Sequence, residues 1–368
     1  MVIYDEFGPE KIIEVYNPRV GMKGFLVIDN TALGPAKGGI RMTPSVNLEE
    51  VARLARAMTW KCALAELPFG GGKSGIIADD KQITPQKKKE LIKAFAASLK
   101  AVVPELYVAA PDMNTAEEEM KLFADTLGTK KACTGKPAIM GGIPHELGST
   151  GFGVVVATTV GAASAGIDLS HASVAIEGFG NVGQFAAKFI TEKGARLVAV
   201  SDSRGVIFNS KGLSYEKLMS TKQVKGTVTS YGDGKILPSH EITRVTADIL
   251  ITAAIPDLIT VDEVDHVKAK LIVEGSNIPM TFEVEELFHN KGILVIPDFV
   301  ANAGGVISSY VEYIGGTPKQ MWKTVEEKIK KNTALVLKEA HKKHLPPRTC
   351  ALEIAKKRVL AKCKNCRI

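Results

Sequence analysis

The chain has 368 residues, 45% of them hydrophobic and 24% charged, with a net charge of +7. That balance allows a sizeable core, and with no run of 18 apolar residues and no basic-then-apolar leader no membrane span is expected, so a soluble cytoplasmic protein of two domains is expected. The basic excess is lysine alternating with apolar residues, as in KTVEEKIKKN, without the Arg and aromatic concentration of a nucleic-acid binder, so no nucleic-acid partner is expected.

In chain order, the runs GFLVIDNT and SGIIAD read as strands, and helical patterns over about 48–67 and 86–103 complete an α/β first half. The stretch MTWKCALAELPFGGGKSG, from Met58 to Gly75, sets Lys61 and Lys73 on either side of a glycine-rich turn. Three glycines at 70–72 predict a tight loop with positive φ and close backbone approach, from which Lys73 emerges. Lys61 leaves an apolar helical run. Buried lysines are rare without a partner, so both read as functional groups; Pro68 and the glycine spacing do not fit a phosphate loop. The acidic segment TAEEEMKLFADTL reads as a helix capped by Thr115, with Asp112 in the loop before it.

From Ser149 the residues become small, GFGVVVATTVGAASAG, which suits a long helix lying close on a sheet. The run ASVAIEGFGNVGQFAAKFITEKGARLVAVSD then gives strand, glycine turn, helix and strand, the βαβ unit of a dinucleotide site. Gly178 permits the turn, Gly180 lets the backbone reach a pyrophosphate, and Gly183 lets the helix pack on the strand. The helix start at Asn181 and Val182 turns backbone N–H groups to the anion. Asp202 ends the next strand and suits the ribose hydroxyls of NAD, while Ser201, Ser203 and Arg204 around it suit the 2′-phosphate of NADP. The choice between NAD and NADP stays open at this point. The strands of TADILITAAI, AKLIVEGSN and GILVIPD end in small or polar turns, which puts Ala254, Asn277 and Asn302 at the ligand-binding ends of a parallel sheet. The final helices, from about Lys319, show no chemistry of their own. Five cysteines at 62, 133, 350, 363 and 366 form no framework and fit a reducing compartment; the Cys363/Cys366 pair reads as a frayed tail, and no metal site is expected.

Ordered motifs over roughly residues 25–315 resemble the glutamate/leucine/phenylalanine/valine dehydrogenases: GPAKGGIR (34–41), the Met58–Gly75 stretch, APDMNT (110–115), TGKP (134–137), STGFGV (149–154), EGFGNVG (177–183), VEGSN (273–277) and PDFVANAGGVISSYVE (297–312). The resemblance implies an α/β fold with a substrate and oligomerisation domain over 1–138, a doubly wound Rossmann domain over 139–318, and helices over 319–368 returning to the first domain. It implies that Lys73 activates water, Asp112 shuttles protons to the amine and Lys61 holds the substrate α-carboxylate. Lys37 and Ser309 would meet a side-chain carboxylate, in a pocket lined by Ala110 and Val306, and Thr150 would join the cofactor residues. The closest branch is glutamate dehydrogenase, with L-glutamate, 2-oxoglutarate and ammonium as small-molecule partners and a homo-oligomer, commonly a hexamer, as assembly. Rival readings are a dehydrogenase for another amino acid such as leucine, with Lys37 turned to solvent, and a catalytically silent dinucleotide-binding regulatory subunit. The stretch GGIPHELGSTGFG departs from the family pattern GGSLGRxEATGRG, gaining His145 and Glu146 for two arginines, and Asp257 stands where the family usually has asparagine.

Overall fold

A computed structural model describes residues 2–364 and 366. The chain divides into two compact units, one of Met1–Leu147, Val306–Trp322 and Leu352–Ile368, the other of Gly148–Gly305 and Lys323–Ala351. The division falls after Leu147, where the motifs suggested 138/139, because Glu312 accepts from the N–H groups of Gly135 and Ile143 and so holds that stretch in the first unit. Among the described residues no helix is long and apolar enough to cross a membrane.

The first unit is a mixed sheet of β1 (Lys11–Asn17), β2 (Met22–Asn30), β3 (Ala36–Thr43), β4 (Gly70–Ile77) and β5 (Tyr107–Pro111), in the order β1-β2-β4-β3-β5. β3 runs parallel to both β4 and β5, and β2 is antiparallel to β4. Three helices accompany the sheet: α1 (Leu48–Leu64), α2 (Pro85–Ser98) and α3 (Glu117–Leu127). Asn47 caps α1 by accepting the Glu50 N–H, and Thr84 caps α2, followed by Pro85 at its first turn. Phe95, Phe123, Leu26 and Tyr107 lie in the core between the sheet and α2 and α3.

Two expectations are corrected here. Gly70–Gly72 do not form a positive-φ loop; they are the first half of β4. What demands glycine there is proximity: a Cβ on Gly70 would lie 1.8 Å from the Asn30 carbonyl oxygen, and one on Gly71 would lie 2.0 Å from Thr59 Oγ1. Thr115 is not the α3 cap; Ala116 is, its N–H donating to Glu119, while the buried Thr115 hydroxyl donates to the Ile40 carbonyl.

The second unit carries the sheet β12-β11-β10-β6-β7-β8-β9, made of β6 (Ser173–Glu177), β7 (Arg196–Asp202), β8 (Gly205–Phe208), β9 (Lys235–Leu237), β10 (Ile249–Thr252), β11 (Leu271–Glu274) and β12 (Leu294–Ile296). Strands β12 to β7 are parallel, and β8 and β9 continue antiparallel. The chain leaves β6 for β7 on one side and reaches β10 on the other, so the strand order reverses at β6, as in doubly wound sheets. Helices α4 (Ser149–Ser164), α5 (Asn181–Glu192), α6 (Tyr215–Lys225), α7 (Phe282–Asn290) and the short α8 (Asp298–Ala301) belong to it. The remaining helices are α9 (Gly304–Tyr313), α10 (Pro318–Lys343) and α11 (Pro347–Leu360). Of these closing helices, α9 from Val306, the start of α10 up to Trp322 and the part of α11 after Ala351 group with the first unit, where Arg358 donates to the Leu64 carbonyl and pairs with Glu66. Cys363 and Cys366 close a disulfide where a frayed tail was expected, and Cys62, Cys133 and Cys350 are buried thiols outside any disulfide.

Candidate active site

Three neighbouring strands of the first unit bring Lys73, Lys37, Ala110 and Asp112 together. Lys73 lies on β4 with its ammonium paired to Asp112 Oδ2, and both side chains are largely buried. Asp112 directly follows β5; its N–H donates to Thr115 Oγ1 and its Oδ1 accepts the Met113 N–H. The glycine pair of the KGG motif makes room for this arrangement. A Cβ on Gly38 would lie 1.7 Å from the Gly72 carbonyl oxygen, and one on Gly39 would lie 2.7 Å from Asp112 Cβ. Below them the Tyr107 hydroxyl donates to the Gly38 carbonyl at 2.7 Å and meets Ser74 Oγ at 3.0 Å, tying β3, β4 and β5 behind Lys73.

Burial holds the Lys73 amine below the ordinary lysine range, with Asp112 pulling the other way. Burial alone would raise the Asp112 carboxyl, but Lys73 and Arg41 outweigh it and hold it below its usual value. Lys37 is 1% exposed and donates to the Ala109 carbonyl at 2.8 Å, which contradicts the solvent-facing alternative. Its burial pushes the amine down to about 8. Lys61, in the last turn of α1, is half-buried, less deep than its apolar surroundings suggested. Val306 and Ser309 are half-buried on α9, whose Glu312 is fixed by the Lys136 ammonium at 2.6 Å.

The second unit presents the glycine fingerprint as expected. Gly178 has φ +89° and its Cβ position falls 2.5 Å from Ala254 Cβ; Gly183 packs so tightly that a Cβ would lie 1.9 Å from the Gly178 carbonyl oxygen. At Gly180 a Cβ would meet nothing within 4 Å, leaving open space above the start of α5. Asn181 and Val182 begin that helix, and Thr150 lies in the first turn of α4. Asn302 donates to the Gly275 and Ser276 carbonyls and to Asn277 Oδ1. The Oδ1 atoms of Asn181 and Asn302 are buried without a hydrogen-bond partner. Open space at Gly180, free N–H groups of a helix start and two orphaned acceptors fit a polar dinucleotide.

Asp202 departs from its expected role. Oδ2 accepts from the Lys222 ammonium at 2.7 Å and the Val228 N–H at 2.9 Å, while Oδ1 accepts from the Arg204 N–H at 2.9 Å and Thr227 Oγ1 at 3.1 Å. A carboxylate offers about four acceptor sites, so none is left for a ribose hydroxyl. Ser203 and Arg204 beside it are exposed.

Two groups were missed from sequence. Glu177, at the end of β6, accepts the Ala253 and Ala254 N–H groups at 2.9 Å and so shapes the Ala254 turn. Arg348, at the start of α11, reaches Glu274 at 2.8 Å, Glu285 at 2.6 Å and Asp298 at 3.0 Å. Glu274 and Asp298 sit in the VEGSN and PDFV motifs and Glu285 lies on α7, so a helix expected to be chemically silent anchors the turn that carries Asn277. Burial raises the Glu274 carboxyl well above its ordinary value. The acidic residues at those strand ends, Glu274 and Asp298, were the visible signal; their partner lies 50 residues or more along the chain.

Comparison with known proteins agrees with this geometry. Residues 141–366 match the family model for Glutamate/Leucine/Phenylalanine/Valine dehydrogenase, and residues 9–129 match the Glu/Leu/Phe/Val dehydrogenase dimerisation domain. A glutamate dehydrogenase of Aeropyrum pernix is 40% identical over 91% of this chain and 86% of its own. An NADP-specific glutamate dehydrogenase of Saccharolobus shibatae is 39% identical over 83% of this chain and 75% of its own. The crystal structure of a hetero-hexameric glutamate dehydrogenase from Thermus thermophilus, in a leucine-bound form, superposes with a TM-score of 0.88 at 29% identity, covering 98% of this chain and 90% of that one. That of the Peptoniphilus asaccharolyticus glutamate dehydrogenase gives 0.86 at 29%, covering 96% and 91%. The chain therefore belongs to the glutamate/leucine/phenylalanine/valine dehydrogenase family and is an NAD(P)-dependent amino-acid dehydrogenase.

Proposed function

We propose that the chain interconverts L-glutamate and 2-oxoglutarate: glutamate, NAD(P)+ and water give 2-oxoglutarate, ammonium, NAD(P)H and a proton. The observation that carries the choice of substrate is the buried Lys37 ammonium on β3, beside the small Ala110 on β5. An apolar substrate side chain would leave that charge unpaired at a cost of several kcal/mol, enough to discriminate by about 10⁴. A γ-carboxylate would pair it, helped by Ser309.

In this reading Lys61 fixes the α-carboxylate. A dinucleotide held by the second unit would supply the hydride acceptor for Cα, and the remaining steps belong to protein side chains. Asp112, an anion against Lys73, takes a proton from the substrate ammonium. Lys73, its amine already depressed by burial, gives up its proton to solvent, which is the proton released overall, and then draws one from water as that water attacks the iminium carbon. Asp112 returns a proton to the departing nitrogen. Gly178, Gly180, Gly183, Asn181 and Val182 would cradle the pyrophosphate, with Thr150, Ala254, Asn277 and Asn302 toward the nicotinamide. A homo-oligomer, with a hexamer favoured, is the expected assembly, and a monomer mass in light scattering at micromolar concentration would exclude it.

The test follows absorbance at 340 nm with ammonium, NADH or NADPH, and either 2-oxoglutarate or 4-methyl-2-oxopentanoate. Faster turnover of 2-oxoglutarate supports the proposal. Preference for the branched acid would assign the chain to another amino acid, and turnover of neither would favour a silent regulatory subunit.

A further inference from the structure

Asp112 has a second cationic neighbour that the mechanism above does not use. Arg41, on β3, is largely buried; its Nε stands 3.5 Å from Asp112 Oδ2, and its Nη1 donates to Glu50 Oε1 at 2.5 Å. Glu50 is held in turn, since its N–H donates at 3.0 Å to Asn47, the cap of α1. Four side chains therefore alternate in sign, Lys73, Asp112, Arg41 and Glu50, across β4, β5, β3 and α1. Arg41 Nε and Asp112 Oδ2 are both buried without a hydrogen bond between them, a donor and an acceptor facing each other slightly beyond bonding distance. The other titratable group behind the pair, the Tyr107 phenol, is kept neutral by burial.

We propose that Arg41, braced by Glu50, is a positioning residue that takes over the Asp112 carboxylate as its counter-cation whenever Lys73 is without its proton. This rests on the reading that Lys73 and Asp112 carry the chemistry. Asp112 must stay anionic to take the substrate proton even where Lys73 has already lost its own, yet a buried carboxylate whose one cation has discharged takes up a proton itself. Arg41 removes that conflict because a guanidinium stays charged at every working pH. Its planar fork addresses Glu50 through Nη1 and Asp112 through Nε, which a lysine ammonium cannot do with the same geometry. Closing the 3.5 Å gap by a few tenths of an ångström as Lys73 discharges makes the missing bond.

The experiment compares pH profiles of kcat and kcat/KM for L-glutamate in the wild type, Arg41→Gln and Arg41→Lys, with Asp112→Asn and Lys73→Ala as controls and circular dichroism as a check of folding. Arg41→Gln should move the acid limb of the kcat profile up by about one to two pH units, the usual influence of an adjacent opposite charge, and lower kcat by about 10-fold to 100-fold at neutral pH while KM changes less than about threefold. Arg41→Lys should recover part of the shift. If Arg41→Gln does not fold, Arg41→Lys carries the test alone, with an upward shift of about half a unit or more. A lower kcat with the acid limb unmoved, or a loss confined to KM, overturns the proposal. Loss of less than about tenfold in both controls would instead overturn the catalytic reading of Lys73 and Asp112.

Discussion

The two units solve the problem of holding polar ligands in opposite ways. The first buries charges on strands: Lys37, Lys73, Asp112 and Arg41 stand on or directly after three adjacent strands, each with a partner within the sheet region. The second offers backbone and amide groups at its ligand end, and its buried carboxylates are turned inward, Asp202 onto Lys222 and Glu274 onto Arg348. A site of buried charges stores electrostatic cost for chemistry, whereas a site of N–H groups and glycines binds an anion that must leave again in each turnover.

The contrast breaks first at Lys73. Lys73→Ala should lower kcat by about 10⁴, measured at saturating glutamate, whereas an effect below tenfold would mean the buried charges of the first unit are merely structural. Lys37→Leu should lower kcat/KM for glutamate by about 10³ and also stabilise the fold by roughly 1–3 kcal/mol, read from chemical denaturation, because a buried ammonium is removed. The sign of the pH effect follows from its depressed amine. The folded-state value of about 8 lies below the ordinary 10.5, so the destabilisation is in full force below pH 8 and disappears as pH rises from 8 toward 10.5. Glutamate binding runs the other way: KM should climb above pH 8 as Lys37 discharges, and a flat KM up to pH 9.5 would remove Lys37 from the pocket.

Arg348→Met tests the second unit. It strands three buried carboxylates and should cost about 3 kcal/mol in denaturant unfolding, with the cost shrinking at acid pH as Glu274 and Glu285, both raised by burial, take up protons. The smallest effect is expected at Asp202. With its oxygens saturated internally, Asp202→Asn should change the KM for NADH by less than about threefold, and a tenfold rise confined to NADH would return ribose recognition to this residue.

What was legible in the sequence follows the same division. The βαβ unit from Ser173 to Asp202 could be read because its function lies in glycine spacing and hydrophobic runs, both local signals. The identities of Lys37, Lys73 and Asp112 came from motif resemblance, but their setting did not. Gly70–Gly72 and Gly38–Gly39 look like loops because glycine has low strand propensity, and only the third dimension shows that neighbouring carbonyls leave no space for a Cβ. Arg348 and Arg41 were invisible as partners for a simpler reason: nothing in a linear pattern says which distant carboxylate an arginine meets.

The glycine floor of the first sheet also limits how such an enzyme can be re-aimed at other substrates. On β3 and β4, side chains added at Gly38, Gly70 or Gly71 would strike main-chain or buried atoms within 2.0 Å, so that part of the sheet cannot be resculpted one residue at a time. Room for variation lies at Lys37 itself and along α9, where Val306 and Ser309 are half-buried and Glu312 keeps the helix in register. An engineer seeking a new substrate from this scaffold should leave the glycines alone and vary Lys37 and the helix.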